Sequence, residues 1–233
     1  MSLKINRRLE KTLRIIAWIL LAIILVAMIK ILIWERHYYN TKSSELRATA
    51  PVVIEQIASA INPSEISPSP EDIESHQTTA DQPRYLEIDR LDIRARIQTT
   101  DIPDNNILPV PDNIYDVSWY AGSGRPGENT CVIISGLSSG NTQPGVFANL
   151  DSLETNDPII IELGNGDRYT YRVRELTHIQ SSDAETKLPD LQRRLDDQET
   201  LSLITATHGA DNNDTYDTIV MLRANLSDKQ LAE

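Results

Sequence analysis

Several residue types are scarce in this chain, and each scarcity excludes a class of protein. The 233 residues include one cysteine, Cys131, so an intramolecular disulfide is excluded and stability must come from burial. The four histidines do not occur at a spacing typical of metal ligands, so we expect neither a metal site nor a cofactor. Lys and Arg number 22 against 34 Asp and Glu, and this net charge of −12 argues against nucleic acid as a partner.

The charge that is present is distributed unevenly along the chain. Residues 1–36 carry seven basic residues and two glutamates, a net charge of +5, so the remainder carries −17. A basic start followed by an acidic body indicates that a membrane lies between the two.

A long apolar run follows the basic start. Ile15–Trp34 contains one charged residue, Lys30, and at about 1.5 Å per residue it spans the roughly 30 Å hydrocarbon core of a bilayer. The run is too long for a signal peptide, and no small-residue cleavage site follows it closely. The basic residues before it predict a cytoplasmic N-terminus over residues 1–14. We therefore predict a single-pass helix in the cell membrane over residues 15–34, with the rest of the chain extracytoplasmic.

Residues 35–83 have the composition of a linker. They are rich in proline, serine and acidic residues, with few aromatics, and cannot bury enough apolar surface to become ordered. This composition predicts a flexible extracytoplasmic tether. Between Pro51 and Ile61 apolar residues recur at helical spacing, which fits a short amphipathic helix and a nascent helix in a disordered linker equally well.

From residue 84 onwards the pattern is one of short strands separated by turns. Pro158–Leu176 predicts a β-hairpin, because Asn165-Gly166 is a strong two-residue turn signal and tyrosines alternate with polar residues after it. Many short strands at regular spacing indicate a β-barrel or a β-sandwich. Residues 227–233 are polar and predict a tail.

Four stretches within residues 84–226 carry motifs in a particular order. They are LPVPDNIYDVSWY (Leu108–Tyr120), GRPGENTCVIISG (Gly124–Gly136), GVFANLDSLETNDPIIIEL (Gly145–Leu163) and LSLITATHG (Leu201–Gly209). Each motif is weak alone, but together, at this spacing, they resemble the sortases, which are membrane-anchored cysteine transpeptidases of bacterial surfaces. The resemblance is strongest to sortase classes D, E and F, and the predicted anchor and linker agree with it.

The resemblance implies an all-β domain over residues 84–226, preceded by the transmembrane helix. Its fold would be a sortase-like closed β-barrel of about eight strands with one or two short helices. The sequence predicts short helical pieces near Val146–Leu153 and Leu188–Leu195. In the family, the active site lies at one end of two neighbouring strands.

Sortase chemistry needs three groups, and this sequence lacks them at the matching positions. A cysteine thiolate attacks a Thr-Gly bond, a histidine transfers protons, and an arginine stabilises charge at the acyl carbonyl. The resemblance places the histidine at Leu137 and the cysteine at Ala206, and neither side chain can react. An arginine is expected at the start of the last strand, but none occurs between residues 211 and 222, and Arg223 lies at the far end. We therefore expect no catalytic residue.

Other polar residues near these positions are candidates for lining a residual groove. Thr207 should face away from Ala206, because neighbouring residues of a strand point to opposite faces. Cys131 begins a buried strand and is expected to be a small core residue. The groove candidates are Ser135, Ser138, Thr205, Thr207 and His208.

Three functions fit this sequence. The first is a pseudosortase that binds or scaffolds an extended peptide, surface proteins such as pilins, or an active sortase, without catalysis. The second is a transpeptidase or hydrolase that uses Thr207 or a serine near Leu137 as nucleophile and His208 as base. The third is a purely structural component of the cell envelope.

Overall fold

The computed structural model describes most of the chain from residue 63 onwards. The described residues are Lys30, 63–100, 110–183, 188–208 and 216–232. The chain divides into two compact units, Met1–Thr49 and Ala50–Glu233, and every element named below belongs to the second unit.

The predicted membrane anchor lies, apart from Lys30, outside the described residues. The cytoplasmic segment over residues 1–14 and the helical pattern between Pro51 and Ile61 also lie outside them. Among the residues that are described, none belongs to a helix with the length and apolar character needed to cross a bilayer.

Eight strands close into one barrel, as the resemblance implies. Around the barrel they follow the order β1-β2-β3-β4-β7-β8-β6-β5, and β5 pairs with β1 to close the ring. Two neighbouring pairs are parallel, β2 with β3 and β4 with β7. The strands are β1 (Pro83–Ile88), β2 (Ile93–Thr100), β3 (Val117–Tyr120), β4 (Cys131–Gly136), β5 (Pro158–Leu163), β6 (Arg168–Gln180), β7 (Thr200–His208) and β8 (Tyr216–Gln230).

Alternation of side chains fills the barrel. In β5, Ile159, Ile161 and Leu163 are buried while the residues between them are partly exposed. Across the hairpin, Tyr169 and Tyr171 of β6 are buried in the same core cluster. Because side chains alternate with a period of two, a slip of one residue would turn this apolar set to solvent, so core burial fixes the register.

β5 and β6 form the predicted hairpin, but its loop is one residue longer than the predicted two-residue turn. The Leu163 N–H donates to the Asp167 carbonyl at 2.9 Å, which leaves three residues in the loop. Asn165 Oδ1 accepts a bond from the Asp167 N–H at 3.0 Å, and Gly166 has a φ of 89°. The asparagine side chain therefore replaces a backbone partner, and the glycine takes the left-handed conformation that the turn requires.

The helical pieces are shorter than the sequence predicts. The stretch near Val146–Leu153 contains only a 3₁₀ turn, Leu150–Ser152, and the stretch near Leu188–Leu195 contains Leu188–Gln192. Among the described residues of the second unit, the one α-helix, α1 (Pro70–Glu74), lies in the predicted linker.

The described part of the predicted linker, residues 63–82, is docked on the barrel and is not a free tether. Ser69 and Asp72 cap α1 reciprocally, and the Tyr85 hydroxyl donates to the Ile73 carbonyl at 2.5 Å. His76 Nε2 lies 3.0 Å from the Ile97 carbonyl oxygen. The prediction of a free tether rested on the small amount of apolar surface in this segment, whereas hydrogen bonds hold the segment on the barrel.

The chain end also differs from the prediction. β8 continues to Gln230, beyond the predicted end of the domain at residue 226. Its last residues pair with Arg168–Thr170 of β6, and the Ala232 N–H donates to Asp167 Oδ1 at 2.9 Å. Backbone pairing needs no apolar side chain, so the polar composition of residues 227–230 does not prevent a strand.

A buried carboxylate stabilises the end of the barrel at which β4 and β7 begin. Glu199 is 4% exposed and accepts bonds from the N–H groups of Gly127 at 2.9 Å and Asn129 at 2.7 Å, and from the Tyr171 hydroxyl at 2.6 Å. Burial, and then the charge of Glu199, raise the pKa of Tyr171 well above its usual value, so this phenol remains a donor.

Substitution of Glu199 tests this contact. Glu199→Gln should lower the free energy of unfolding by about 2 kcal/mol, because charge-assisted bonds are lost and an amide NH₂ faces backbone donors. The control is Glu154→Gln, whose carboxylate is 71% exposed beside Arg90, and it should leave the free energy of unfolding nearly unchanged. Urea unfolding followed by tryptophan fluorescence measures both, and equal losses would contradict the proposed role of Glu199.

Candidate functional site

β4 and β7 run side by side and end together at one end of the barrel. Their parallel register pairs Ser135 with Ile204. Continuing this register by two residues puts Leu137 beside Ala206, the two positions that the resemblance assigns to histidine and cysteine. Ser138 Oγ donates a hydrogen bond to the Ala206 carbonyl oxygen, so the chain after β4 contacts the end of β7 directly.

Leu137 and Ala206 belong to the outer face of the barrel. Ile134 of β4 and Leu203 of β7, each three residues earlier in the chain, are buried in the barrel core. Because side chains alternate along a strand, Ala206 is assigned to the outer face, and extending the alternation of β4 by one residue past Gly136 assigns Leu137 to it too. Both residues are half-buried, so the register places two partly exposed apolar side chains side by side at the strand ends, named here the Leu137–Ala206 contact.

The candidate hydroxyl groups near this contact are engaged elsewhere or buried. Thr207 is partly buried, and its Oγ1 donates to the Thr218 carbonyl at 3.4 Å. Ser135 is buried, and its Oγ donates to the Ser118 carbonyl at 3.5 Å. Thr205 is 4% exposed, and its Oγ1 has no hydrogen-bond partner among the described residues.

The remaining candidates contribute less to the site. Ser139 forms a β-bridge with Pro144 in the loop after β4. His208 pairs through its backbone with Tyr216, and its side chain lies outside the described part of the chain.

His178, which sequence analysis did not single out, lies in β6 at the same end of the barrel. It pairs with Val220 of β8, which in turn pairs with Thr205 of β7. Two strand spacings separate the backbones of His178 and Thr205 by about 10 Å. His178 Nε2 lies 3.9 Å from Asp151 Oδ2, with both side chains about half exposed. The position of His178 near Thr205 can be recognised only from the β6–β8–β7 pairing, because the three strands are distant in sequence.

Arg223 lies away from the Leu137–Ala206 contact. It pairs with Ser202, four residues before Ala206 in β7, which is about 13 Å along the strand. The residue is fully buried, and its Nη1 donates to Glu175 Oε1 at 3.0 Å. Its second terminal nitrogen donates to the Arg193 carbonyl, so the guanidinium ties the β6–β7 connection to the barrel.

Two further features concern ligands. In the described part of the chain, no group of three or more His, Cys, Asp and Glu side chains is arranged to hold a metal ion. The Cys131 thiol is buried at the start of β4, and burial raises its pKa to about 11, which keeps it protonated and unreactive near neutral pH.

A cavity of about 360 Å³ lies beside the loop that follows β4. Its walls are residues 67–73, the start of β2 and residues 144–149. The guanidinium of Arg96 at its wall is already held by Asp116 through two bonds of 2.8 and 2.7 Å. Asp92, Arg94, Arg96 and Asp116 balance in charge, so the cavity has no electrostatic preference for an anion or a cation.

The family profile of the sortase domain matches residues 86–226, which is more than half of the chain. The barrel is thus that of a sortase domain, and the chain belongs to the sortase family. Among curated proteins, none matches it.

Solved sortase structures are similar to this chain at low identity. The Clostridium perfringens sortase D5 transpeptidase is 20% identical, covering 70% of this chain and 91% of its own, with a TM-score of 0.46. Sortase E1 from Streptomyces coelicolor, with a tripeptide in its active site, is 18% identical over 66% and 93%, with a TM-score of 0.49. Sortase C of Streptococcus pneumoniae is 18% identical over 83% and 91%, also with a TM-score of 0.49. Identity this low carries no information on substrate.

The buried position of Arg223 leads to a prediction about stability. Arg223→Ala should cost about 3–5 kcal/mol, because it leaves a cavity and removes the bond to Arg193. Arg223→Met loses the same two bonds, to Glu175 and to the Arg193 carbonyl, but keeps most of the volume, so its cost should stay below about 1.5 kcal/mol.

Chemical unfolding of both variants measures these costs. Arg125→Ala is the control, because this arginine makes an exposed ion pair with Asp81 and should contribute less than about 1 kcal/mol. If Arg223→Met were as costly as Arg223→Ala, the specific hydrogen bonds, and not the filled volume, would dominate.

Proposed function

We propose that this sortase-family domain is a pseudoenzyme that binds an extended peptide and does not cleave it. The observation that supports the proposal is the β4–β7 register, which, continued by two residues, places Leu137 beside Ala206 where the strands end. The two positions that would hold an imidazole and a thiol carry an isobutyl and a methyl group, and Arg223 is engaged about 13 Å away. Acyl transfer needs a nucleophile and a proton carrier, which these side chains cannot supply.

Peptide binding requires neither reactive group. An extended peptide is held by backbone hydrogen bonds and by pockets for alternate side chains. The half-exposed Leu137 and Ala206 offer an apolar contact at the strand ends. We propose a segment of a cell-surface protein as the ligand, and an N-terminal membrane anchor that holds the domain at the outer surface of the cell membrane.

A purely structural role is a second candidate, favoured by one observation. On the outer face beyond the contact, Ile204 is 2% exposed and Met221 is 3% exposed. Because these two side chains of the outer face are already covered, little free surface remains there for a ligand. The structural role predicts that no peptide binds at all, and the same experiment therefore separates the two.

A changed nucleophile has less support. The hydroxyl groups of Thr207 and Ser138 donate to backbone carbonyls, and neither bond activates an oxygen for attack. An active enzyme of this kind would lose its activity in Thr207→Val, whereas a binding protein would retain its affinity.

To test this proposal, the full chain is mixed with fluorescent peptides that contain a Thr-Gly sorting signal, and separately with surface proteins from the cell. Anisotropy should report saturable binding, and mass spectrometry should show neither cleavage nor a covalent adduct. Ala206→Trp should weaken binding at least about tenfold by filling the contact, while Arg125→Ala, near the opposite end of β4, should not. Cleavage, or an adduct on the chain, would contradict the pseudoenzyme, and the absence of binding would favour the structural role.

A further inference from the structure

The segment that precedes the barrel is docked against the chain near the candidate site. The Ser64 N–H donates to the Asp112 carbonyl at 2.7 Å, and the Ile114 N–H donates to the Ser64 carbonyl at 3.0 Å. Ser64 thus forms a parallel bridge with Asn113, and Asn113 Nδ2 donates to the Ile66 carbonyl at 2.9 Å. These bonds fix the position of the residue between them, Glu65.

The Glu65 carboxylate binds the tip of the loop that follows Leu137. It accepts bonds from the backbone N–H of Asn141, from the N–H of Thr142 at 2.9 Å, and from the Thr142 hydroxyl. A Cβ on Gly140 would lie 2.5 Å from Glu65 Oε1, so the carboxylate packs directly against a residue without a side chain. Glu65 therefore both accepts hydrogen bonds from the loop tip and packs closely against Gly140.

The loop itself is internally braced. The Gly145 N–H donates to the Ser138 carbonyl at 2.9 Å, and the Gly140 N–H donates to the Gln143 carbonyl at 2.7 Å. Ser139 and Pro144 form a β-bridge between its two arms. A loop braced in this way moves as one piece, so a contact at its tip affects its root. At that root, Ser138 donates to the Ala206 carbonyl oxygen.

We infer that Glu65 is a positioning residue: it holds the Ser138–Gly145 loop in place and so sets the shape of the Leu137–Ala206 contact from outside the barrel. This inference rests on the proposed function, since it assigns the same contact as the binding site. Hydrogen bonds to a carboxylate are stronger than those between neutral groups, and the Thr142 hydroxyl, through its bond, lowers the pKa of Glu65. The segment leading to the predicted membrane anchor is thereby coupled to the site.

A thiol placed at the site reports its accessibility without any ligand. Ala206→Cys is introduced alone, with Glu65→Ala and with Glu65→Gln, and iodoacetamide labelling of the full chain is followed by peptide mass spectrometry. Glu65→Ala should raise the labelling rate at residue 206 roughly three- to tenfold, because the loop opens more often. Glu65→Gln keeps an acceptor oxygen and should restore most of the protection. The matched control is Glu154→Ala, which removes an exposed glutamate paired with Arg90 and should leave the rate unchanged.

Labelling of Cys131 separates local opening from loss of the fold. This thiol is buried and should stay unlabelled in every variant. Faster labelling at residue 206 alone supports the inference. An unchanged rate in Glu65→Ala, an equal rise in Glu154→Ala, or a parallel rise at Cys131 would overturn it. Because labelling needs no peptide, these outcomes do not depend on whether the proposed peptide binding is correct.

Discussion

The parallel pairing of β4 with β7 is the interaction on which the barrel and the candidate site both depend. It joins segments far apart in the chain, and the inward side chains of both strands, such as Ile134 and Leu203, lie in the core. A slip of one residue would turn these apolar groups to solvent, so the register is set by burial. The position of Leu137 beside Ala206 follows from this register and not from any chemistry at the site.

A site fixed by core packing keeps its geometry whatever side chains it carries. The groups that stabilise this domain lie elsewhere: Glu199 binds backbone donors at the opposite ends of β4 and β7, and Arg223 secures the β6–β7 connection. An arginine in β8 is thus used for stability, about 13 Å from the strand ends. Under the proposed function, binding at the contact is shaped by the framework and by Glu65, whose bonds reach the loop after β4 from outside the barrel.

Sequence reasoning recovered the parts of this structure that depend on local patterns. Alternation and turn residues predicted the β5–β6 hairpin, and four motifs predicted the barrel and placed Leu137 and Ala206 at strand ends. It failed where hydrogen bonds between distant polar residues decide the outcome. The docking of residues 63–82 and the extension of β8 to Gln230 rest on backbone pairing, which cannot be predicted from amino-acid composition. The burial of Arg223 could likewise not be predicted from the sequence, because a charged residue in a strand normally faces solvent.

The ends of β4 and β7 bring Leu137 and Ala206 together on the outer face. The most direct measurement is disulfide formation in Leu137→Cys/Ala206→Cys, followed by mass spectrometry under non-reducing conditions. Adjacent strands place their Cα atoms about 5 Å apart, within the range of a disulfide, so this pair should cross-link under mild oxidation. The pair Leu137→Cys/Thr207→Cys should remain reduced, because alternation along β7 directs residue 207 to the face opposite that of residue 206. A cross-link in Leu137→Cys/Thr207→Cys, or the absence of a cross-link in both double variants, would contradict this placement of Leu137 and Ala206.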